Sequence, residues 1–387
     1  MAQQYKTALF SDIQFWSSEI RKNTPIWDDS NMQKLSDTSI KPQLKTIYFW
    51  WGTPLLLWAE YLLSIMEQVE ECFDCSQLEE ISIECNPYPY QPTLEAVQKI
   101  ANAYNHIPRI RFSFGIQSLD DTTLTLSNRE NSFAGVVQFT KDLLARKQSH
   151  MLYNYDFIAF GTQTKPEALQ WLQELLTSHA IDSYSLYTLE LFAGAKRYHE
   201  TKDPLIAYHA PRDHDMPFVT TEDTIFDEFS LLKKMLTDTG YSRYEISNYA
   251  LPGKESIHNQ TYRTMTEYLG LWLGAHSLLC DKNLMQRWAI VSWWKKYIDT
   301  KNRGELMSIT PLNIDDVRIE TIFLWLRQRI GLKDLSSYSH YLVDGRQSRI
   351  QKLVEENLAT YQNDILALTD TGMNVHHRVC TYLLREI

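Results

Sequence analysis

Through the first half of the chain, short runs of β-branched and aromatic residues alternate with longer stretches of helix-type apolar spacing. The runs predict strands at Thr46–Phe49, Ile81–Glu84, Ile110–Phe114, Tyr153–Ile158 and Tyr184–Thr188. Their starts lie roughly 30 to 45 residues apart, the length of a βα unit. Between them, Leu55–Cys72, Thr93–Tyr104, Asp121–Leu144 and Lys165–His179 repeat apolar residues at helical intervals. Parallel strands with helical crossovers give a doubly wound sheet or a β/α barrel, and in both the chemistry gathers at the C-terminal strand ends.

The rhythm breaks at 195–222, where Pro, His and Asp are scattered, as in Asp203-Pro204 and Ala210-Pro211-Arg212-Asp213-His214. That composition reads as a connection. A helix from Thr224, closed by Gly240, opens a second region, followed by helical patterns at 312–329 and 349–362, the run Ile365–Leu368 and a last helix at Thr371–Arg385. This tail resembles a small winged-helix unit. The expected organisation is therefore a core over 1–195, a connection over 196–223 and a C-terminal domain over 224–387.

Charge changes the reading of that tail. With 38 basic and 48 acidic residues the net charge is −10, which disfavours a nucleic-acid surface. Five cysteines (Cys72, Cys75, Cys85, Cys280, Cys380) and no signal-peptide pattern suggest a reduced, cytoplasmic setting. The most apolar stretch, Ile47–Ala59, is too short to span a membrane.

Four segments fall at or just after strand ends: Trp50-Trp51-Gly52-Thr53-Pro54, Glu84-Cys85-Asn86-Pro87, Gly115-Ile116-Gln117-Ser118 with Arg129 downstream, and Asp156 before Gly161-Thr162-Gln163. Carboxylates, an amide and a cation around one rim suit a ligand with amino, carboxylate and ribose groups. Singly, Glu84 and Asp156 read as turn caps and Arg129 as a solvated helix residue; the ordered set points to a site.

YFWWGTP, ISIECNP, FSFGIQSLDD with NRENS, and NYDFIAFGTQT together resemble the radical S-adenosylmethionine family of oxygen-independent coproporphyrinogen III oxidase. SLYTLELFAGAKRY, YSRYEISNYALPGKESIHNQTYR and YLGLWLGAHS are closer to its haem-chaperone, HemW-like branch. The resemblance runs from about Ala8 to the LALTDTG tail. It implies a partial (β/α)6 TIM-like barrel lacking its first strand, with a mostly helical, winged-helix-like C-terminal domain. It also implies S-adenosylmethionine held by Gly52, Thr53, Glu84, Gln117, Arg129 and Asp156, and haem at His258 with Tyr262. The haem would pass to a membrane-bound respiratory acceptor, and a homodimer is possible in this branch. The alternatives are the decarboxylating oxidase of porphyrin biosynthesis and a degenerate, non-catalytic relative.

Three departures qualify the resemblance. The C-x-x-x-C-x-x-C motif that binds the family's [4Fe–4S] cluster is absent, so its ligands are expected upstream of Met1, and the lone Cys72/Cys75 pair does not replace them. Trp50, Trp51, Trp272 and Trp325 stand where the family has glycine, and glycines number only 13 in 387 residues. Both observations suggest UGA codons that mean glycine in the source and are written here as Trp. Trp58, Trp171, Trp288, Trp293 and Trp294 are equally well explained by aromatic packing. Finally, Arg263 stands where the haem pattern has Trp.

Overall fold

A computed structural model describes residues 2–23, 26–27, 34–35, 41–50, 59–162, 164–189, 221–281, 284–291 and 293–384. The chain divides into two compact units, one of Tyr48–Ala59 and Glu80–Ser256, the other of Met1–Ile47, Glu60–Glu79 and Ile257–Ile387.

The first unit is organised by a seven-stranded sheet. Its strands are β1 Thr46–Phe49, whose first two residues fall in the second unit, β2 Glu80–Cys85, β3 Arg109–Gln117, β4 Met151–Ala159, β5 Ser183–Thr188, β6 Ser242–Arg243 and β7 Asn248–Ala250. They lie in the order β1-β2-β3-β4-β5-β7-β6. Strands β2 to β5 pair in parallel, β7 runs antiparallel to β5, and β6 forms the edge antiparallel to β7. Helices α1 Tyr90–Ala103, α2 Asp121–Leu126, α3 Phe133–Leu144, α4 Pro166–Thr177 and α5 Glu222–Asp238 follow or separate the parallel strands, as the alternation predicted.

The period-two pleat sorts this sheet chemically. One face carries Ile81, Ile83, Phe112, Phe114, Tyr153, Tyr155 and Tyr184, all essentially buried. Phe139 of α3 meets Phe114 edge to face at 5.2 Å, and Thr140 shares a 2.8 Å hydrogen bond with the Tyr155 hydroxyl. The other face carries Glu80, Ser82, Glu84, Arg111, Ser113, Gly115, Asn154, Asp156, Ser183 and Ser185, paired across the strands in register. A sheet with one apolar and one polar face, both largely buried, has room for a polar ligand on the second.

The single helix expected over 121–144 is two. Asp120 caps α2 by accepting from Thr123 N at 2.7 Å, and the helix ends in a Schellman turn: Asn128 takes φ +54, Arg129 N donates to Leu124 O at 2.9 Å and Asn128 N to Thr125 O at 3.0 Å. Ser132 then caps α3. Residues 51–58, which carry Gly52 and Thr53, and most of the expected 196–223 connection lie outside the described residues.

In the second unit, helix Ala2–Asn23, not anticipated from the sequence, buries Ala8, Leu9, Ile13 and Trp16 along one stripe. On that stripe the buried Asp12 carboxylate accepts from Arg303 and from the Tyr297 hydroxyl. A three-stranded antiparallel sheet of β8 His276–Asp281, β9 Leu284–Ile290 and β10 Met307–Pro311 was likewise unforeseen. In the tail, the helix expected over 349–362 stops at Glu355, and β11 Ala359–Gln362 turns back through Asn363 and Asp364, both at positive φ, onto β12 Ile365–Leu368. Two positive-φ residues between paired strands make the tight hairpin that an extended helix reading overlooks. The last helix is also split, into Asp370–Asn374 and His376–Leu383.

The tryptophans in glycine positions separate here. Trp272 sits at φ +106, a backbone region that disfavours any side chain, while its ring stacks on Tyr5 at 5.0 Å. Trp325 ends the helix Ile314–Trp325 and packs on the tail's core, so nothing there demands glycine. Trp50 is 71% exposed, and Trp51 lies outside the described residues. Trp288 packs edge to face on Trp16, and Trp171 on Phe133. Replacing Trp272 by Gly or by Ala removes the same stack, but only Ala keeps the strain. Trp272→Gly should therefore be more stable than Trp272→Ala by about 1 kcal/mol in denaturant unfolding, the reverse of the usual order. Equal stabilities would mean that position 272 does not require glycine's backbone freedom.

Candidate functional site

The polar face of the first unit is built from alternate residues of four strands. Asn154 is its hub: its amide donates to Ser113 Oγ at 3.0 Å, Asp156 Oδ1 at 2.8 Å and Ser185 Oγ at 3.0 Å, while Ser183 Oγ donates to its carbonyl at 2.8 Å. Ser113 Oγ also donates to Asp156 Oδ2 at 2.9 Å. The Asp156 carboxylate is thus held on both oxygens by strand residues, a rigid placement. Below it, Glu80 accepts from Ser82 and Ser256, each at 2.9 Å.

Glu84 lies one strand from Ser113 and accepts from the Tyr48 hydroxyl. Burial, then the neighbouring Asp156 charge, push the Glu84 carboxyl up to about 7, against the pull of Tyr48 and Arg111. Asp156 is raised by burial, opposed by Ser185, Arg111, Ser113 and Asn154. Arg111, 2% exposed, is the cation on this face. Burial works against its charge, but Tyr244, Tyr48, Glu80 and Asp156 around it keep it protonated. Three carboxylates, Glu80, Glu84 and Asp156, against one guanidinium leave the face with surplus negative charge even when Glu84 is protonated, suited to a cationic or hydroxyl-rich ligand.

Gln117 ends β3 at φ +69, where the register with β4 slips by one residue. A Cβ on Gly115 would lie 2.6 Å from Gln117 Nε2, so the absent side chain is what lets Gln117 fold back over the strand. Arg129 is brought by the Schellman turn to a cavity of about 530 Å³ that it lines with Asn86, Thr125, Ser127, Asn128 and Glu130. Burial lowers its pKa. Of the residues expected to bind ligand, Glu84 and Asp156 are therefore joined on one face, Gln117 closes the end of β3, and Arg129 reaches the cavity shared with Asn86, two positions beyond Glu84. Arg111, Tyr48, Ser113 and Asn154 were missed. The polar positions at every second residue of RIRFSFG and YNYDF were the available signal.

In the second unit, His258 is buried in helix Ile257–Arg263, with both ring nitrogens engaged. Nδ1 meets Thr46 Oγ1 at 2.8 Å and Nε2 meets the Tyr262 hydroxyl at 2.8 Å. Tyr262 also packs edge to face on Tyr268 at 4.7 Å, and burial pushes its hydroxyl up to about 12.

The cysteines are dispersed. Cys72, Cys85 and Cys380 are buried, Cys75 is half-buried and Cys280 is exposed. Among the described residues no three His, Cys, Asp or Glu side chains could hold a metal ion. No described helix is long and apolar enough to cross a membrane.

No family model matches the chain. The heme chaperone HemW of Lactococcus lactis subsp. lactis is 26% identical over 356 residues, 89% of this chain and 86% of that protein. The heme chaperone HemW of Synechocystis sp. is 29% identical over 299 residues, 75% of this chain and 66% of that protein. In structure, the chain matches the coproporphyrinogen III oxidase HemN of Escherichia coli, a radical SAM enzyme, with a TM-score of 0.69 at 17% identity, over 98% of this chain and 82% of that one. The chain is thus similar in sequence to the HemW heme chaperones and shares the fold of a radical SAM enzyme.

The groups associated with those proteins fit the described residues unequally. The Glu84–Asp156 face has the acceptors that S-adenosylmethionine needs for its ribose hydroxyls and amino end. A [4Fe–4S] cluster does not fit, since no three described thiols converge and Cys85 points to the apolar face. For haem iron, His258 fits only after Tyr262 releases Nε2.

Because Glu84 titrates higher folded than unfolded, the folded chain holds more protons between pH about 4.5 and about 7. Stability should fall as pH rises through that window, by at most about 1.4 kcal/mol per pH unit. Glu84→Gln should flatten the dependence in urea unfolding followed from pH 5 to 7.5. An unchanged slope would place the titration elsewhere.

Proposed function

We propose that this chain is a haem-chaperone-like member of the radical SAM proteins. It takes S-adenosylmethionine on the Glu84–Asp156 face and haem through the His258 segment, and delivers haem to a membrane-bound respiratory acceptor. The carboxylate pair, fixed by Ser113, Asn154 and Tyr48, is the observation that carries the first half of this reading. The curated relatives named heme chaperones support the second.

In this assignment Asp156 accepts from the ribose hydroxyls and Glu84 meets the amino end. Gln117 and Arg129 hold the remaining polar groups, and Gly52 and Thr53, outside the described residues, complete the binding set. S-adenosylmethionine, when bound, supplies a sulfonium and an adenosyl group. The chain's own residues orient it and, through surplus negative charge, favour its cationic form. Reductive chemistry is not assigned to any described cysteine. His258 would hold the haem iron through Nε2, with Thr46 orienting the ring through Nδ1.

Two titrations on the purified full chain test this. S-adenosylhomocysteine should bind, with Asp156→Asn weakening it by tenfold or more, and haem should give an absorbance spectrum of a histidine-ligated iron that His258→Ala abolishes and Tyr262→Phe retains. Absence of both interactions would refute the reading. Anaerobic conversion of coproporphyrinogen III would replace it with the oxidase.

A further inference from the structure

The turn after β4, Gly161-Thr162, is held from helix α5. That helix turns Ile225, Leu232 and Leu236 into the core, each of them buried. Glu228 falls on the same stripe, three residues after Ile225 and four before Leu232, where helical spacing calls for an apolar side chain. Its carboxylate instead accepts from Gly161 N at 2.7 Å and from Thr162 N at 3.2 Å, both on Oε2. Hydrogen bonds from the Phe160 backbone and the Thr164 side chain also favour its charge, against the effect of burial. Gly161 takes φ +78, so that successive N–H groups converge on one oxygen, as in an anion-binding nest. A local pattern broken at one position, with the broken position fully engaged, marks a functional demand.

The clamp reaches beyond the turn. Thr123 Oγ1 bridges Thr162 Oγ1 at 3.2 Å and Asp120 Oδ2 at 2.8 Å, the oxygen that also caps α2 through Thr123 N. Asp120 N in turn donates to Ser118 Oγ at 3.1 Å, directly after Gln117. Glu228, the Gly161-Thr162 turn, Thr123, Asp120 and Ser118 thus form one hydrogen-bonded chain across the C-terminal ends of β3 and β4. Parallel sheets gather their ligand contacts at that rim. Resting on the functional reading above, we propose that Glu228 is a positioning residue for the ligand of the polar face. It seats the Gly161-Thr162 turn against the cap of α2 and acts on the ligand through that turn rather than by contact.

The test is calorimetry with S-adenosylhomocysteine on the full chain and on Glu228→Leu, Glu228→Gln and Glu228→Ala. Circular dichroism and thermal melts confirm that each variant is folded; if Glu228→Ala is not, Glu228→Ser takes its place. Leucine completes the apolar stripe but offers the turn no acceptor, so Glu228→Leu should keep its melting temperature and bind about tenfold more weakly. Glutamine retains an oxygen for Gly161 N and Thr162 N, so Glu228→Gln should bind close to the unaltered chain. Glu228→Ala should weaken binding as leucine does, and sodium formate, a carboxylate small enough for the vacated place, should restore most of the loss where sodium chloride at the same concentration does not. If Glu228→Leu is folded and binds as the unaltered chain does, or if glutamine and formate restore nothing, the positioning role is overturned while the functional reading survives. If the unaltered chain does not bind S-adenosylhomocysteine, both are overturned.

Discussion

The buried Asp156 carboxylate is the constraint around which the first unit is arranged. An ionised group on an enclosed sheet face is tolerated only when hydrogen bonds and countercharge replace its water. Here Ser113 and Asn154 supply the hydrogen bonds and Arg111 the countercharge. Those demands fix the identity of alternate residues on three neighbouring strands. They also explain why Asn154, rather than an acid, occupies the hub. Its two N–H donors face three acceptors, Ser113, Asp156 and Ser185, while its carbonyl accepts from Ser183, so the network forms without adding charge.

The second carboxylate, Glu84, is satisfied less fully, and that difference gives the face its polarity. Asp156 is bonded on both oxygens, whereas Glu84 accepts from the Tyr48 hydroxyl on one and feels the Asp156 charge. One acid is fixed and the other adjusts its protonation to what lies beside it. A cationic ligand would lower the Glu84 pKa on arrival and release a proton.

The parallel half of the fold was legible because its strands are buried on both faces and its helices are strongly one-sided. The five strand positions from Thr46 to Thr188 agree with the sequence pattern to within about three residues at each end. What escaped notice was structure set by local backbone geometry. The breaks at Asn128 and Asn363-Asp364 depend on positive φ at non-glycine residues, which hydrophobic spacing does not register. The antiparallel strands from His276 to Pro311 have mixed burial and no clean alternation. At the site, motif order singled out Glu84, Gln117, Arg129 and Asp156 as candidates. The buried partners that set their charge, Arg111 above all, lie earlier on the same strands, where a charged residue in an apolar run reads as an interruption.

The pleat that places Glu84 on the polar face turns the next side chain, Cys85, onto the apolar one. Its thiol is enclosed there, 5% exposed, and burial holds its pKa well above the ordinary thiol range. A thiol so placed reacts only when the sheet opens. The labelling rate of Cys85 therefore counts openings of this sheet, and a ligand that holds the opposite face closed would slow it.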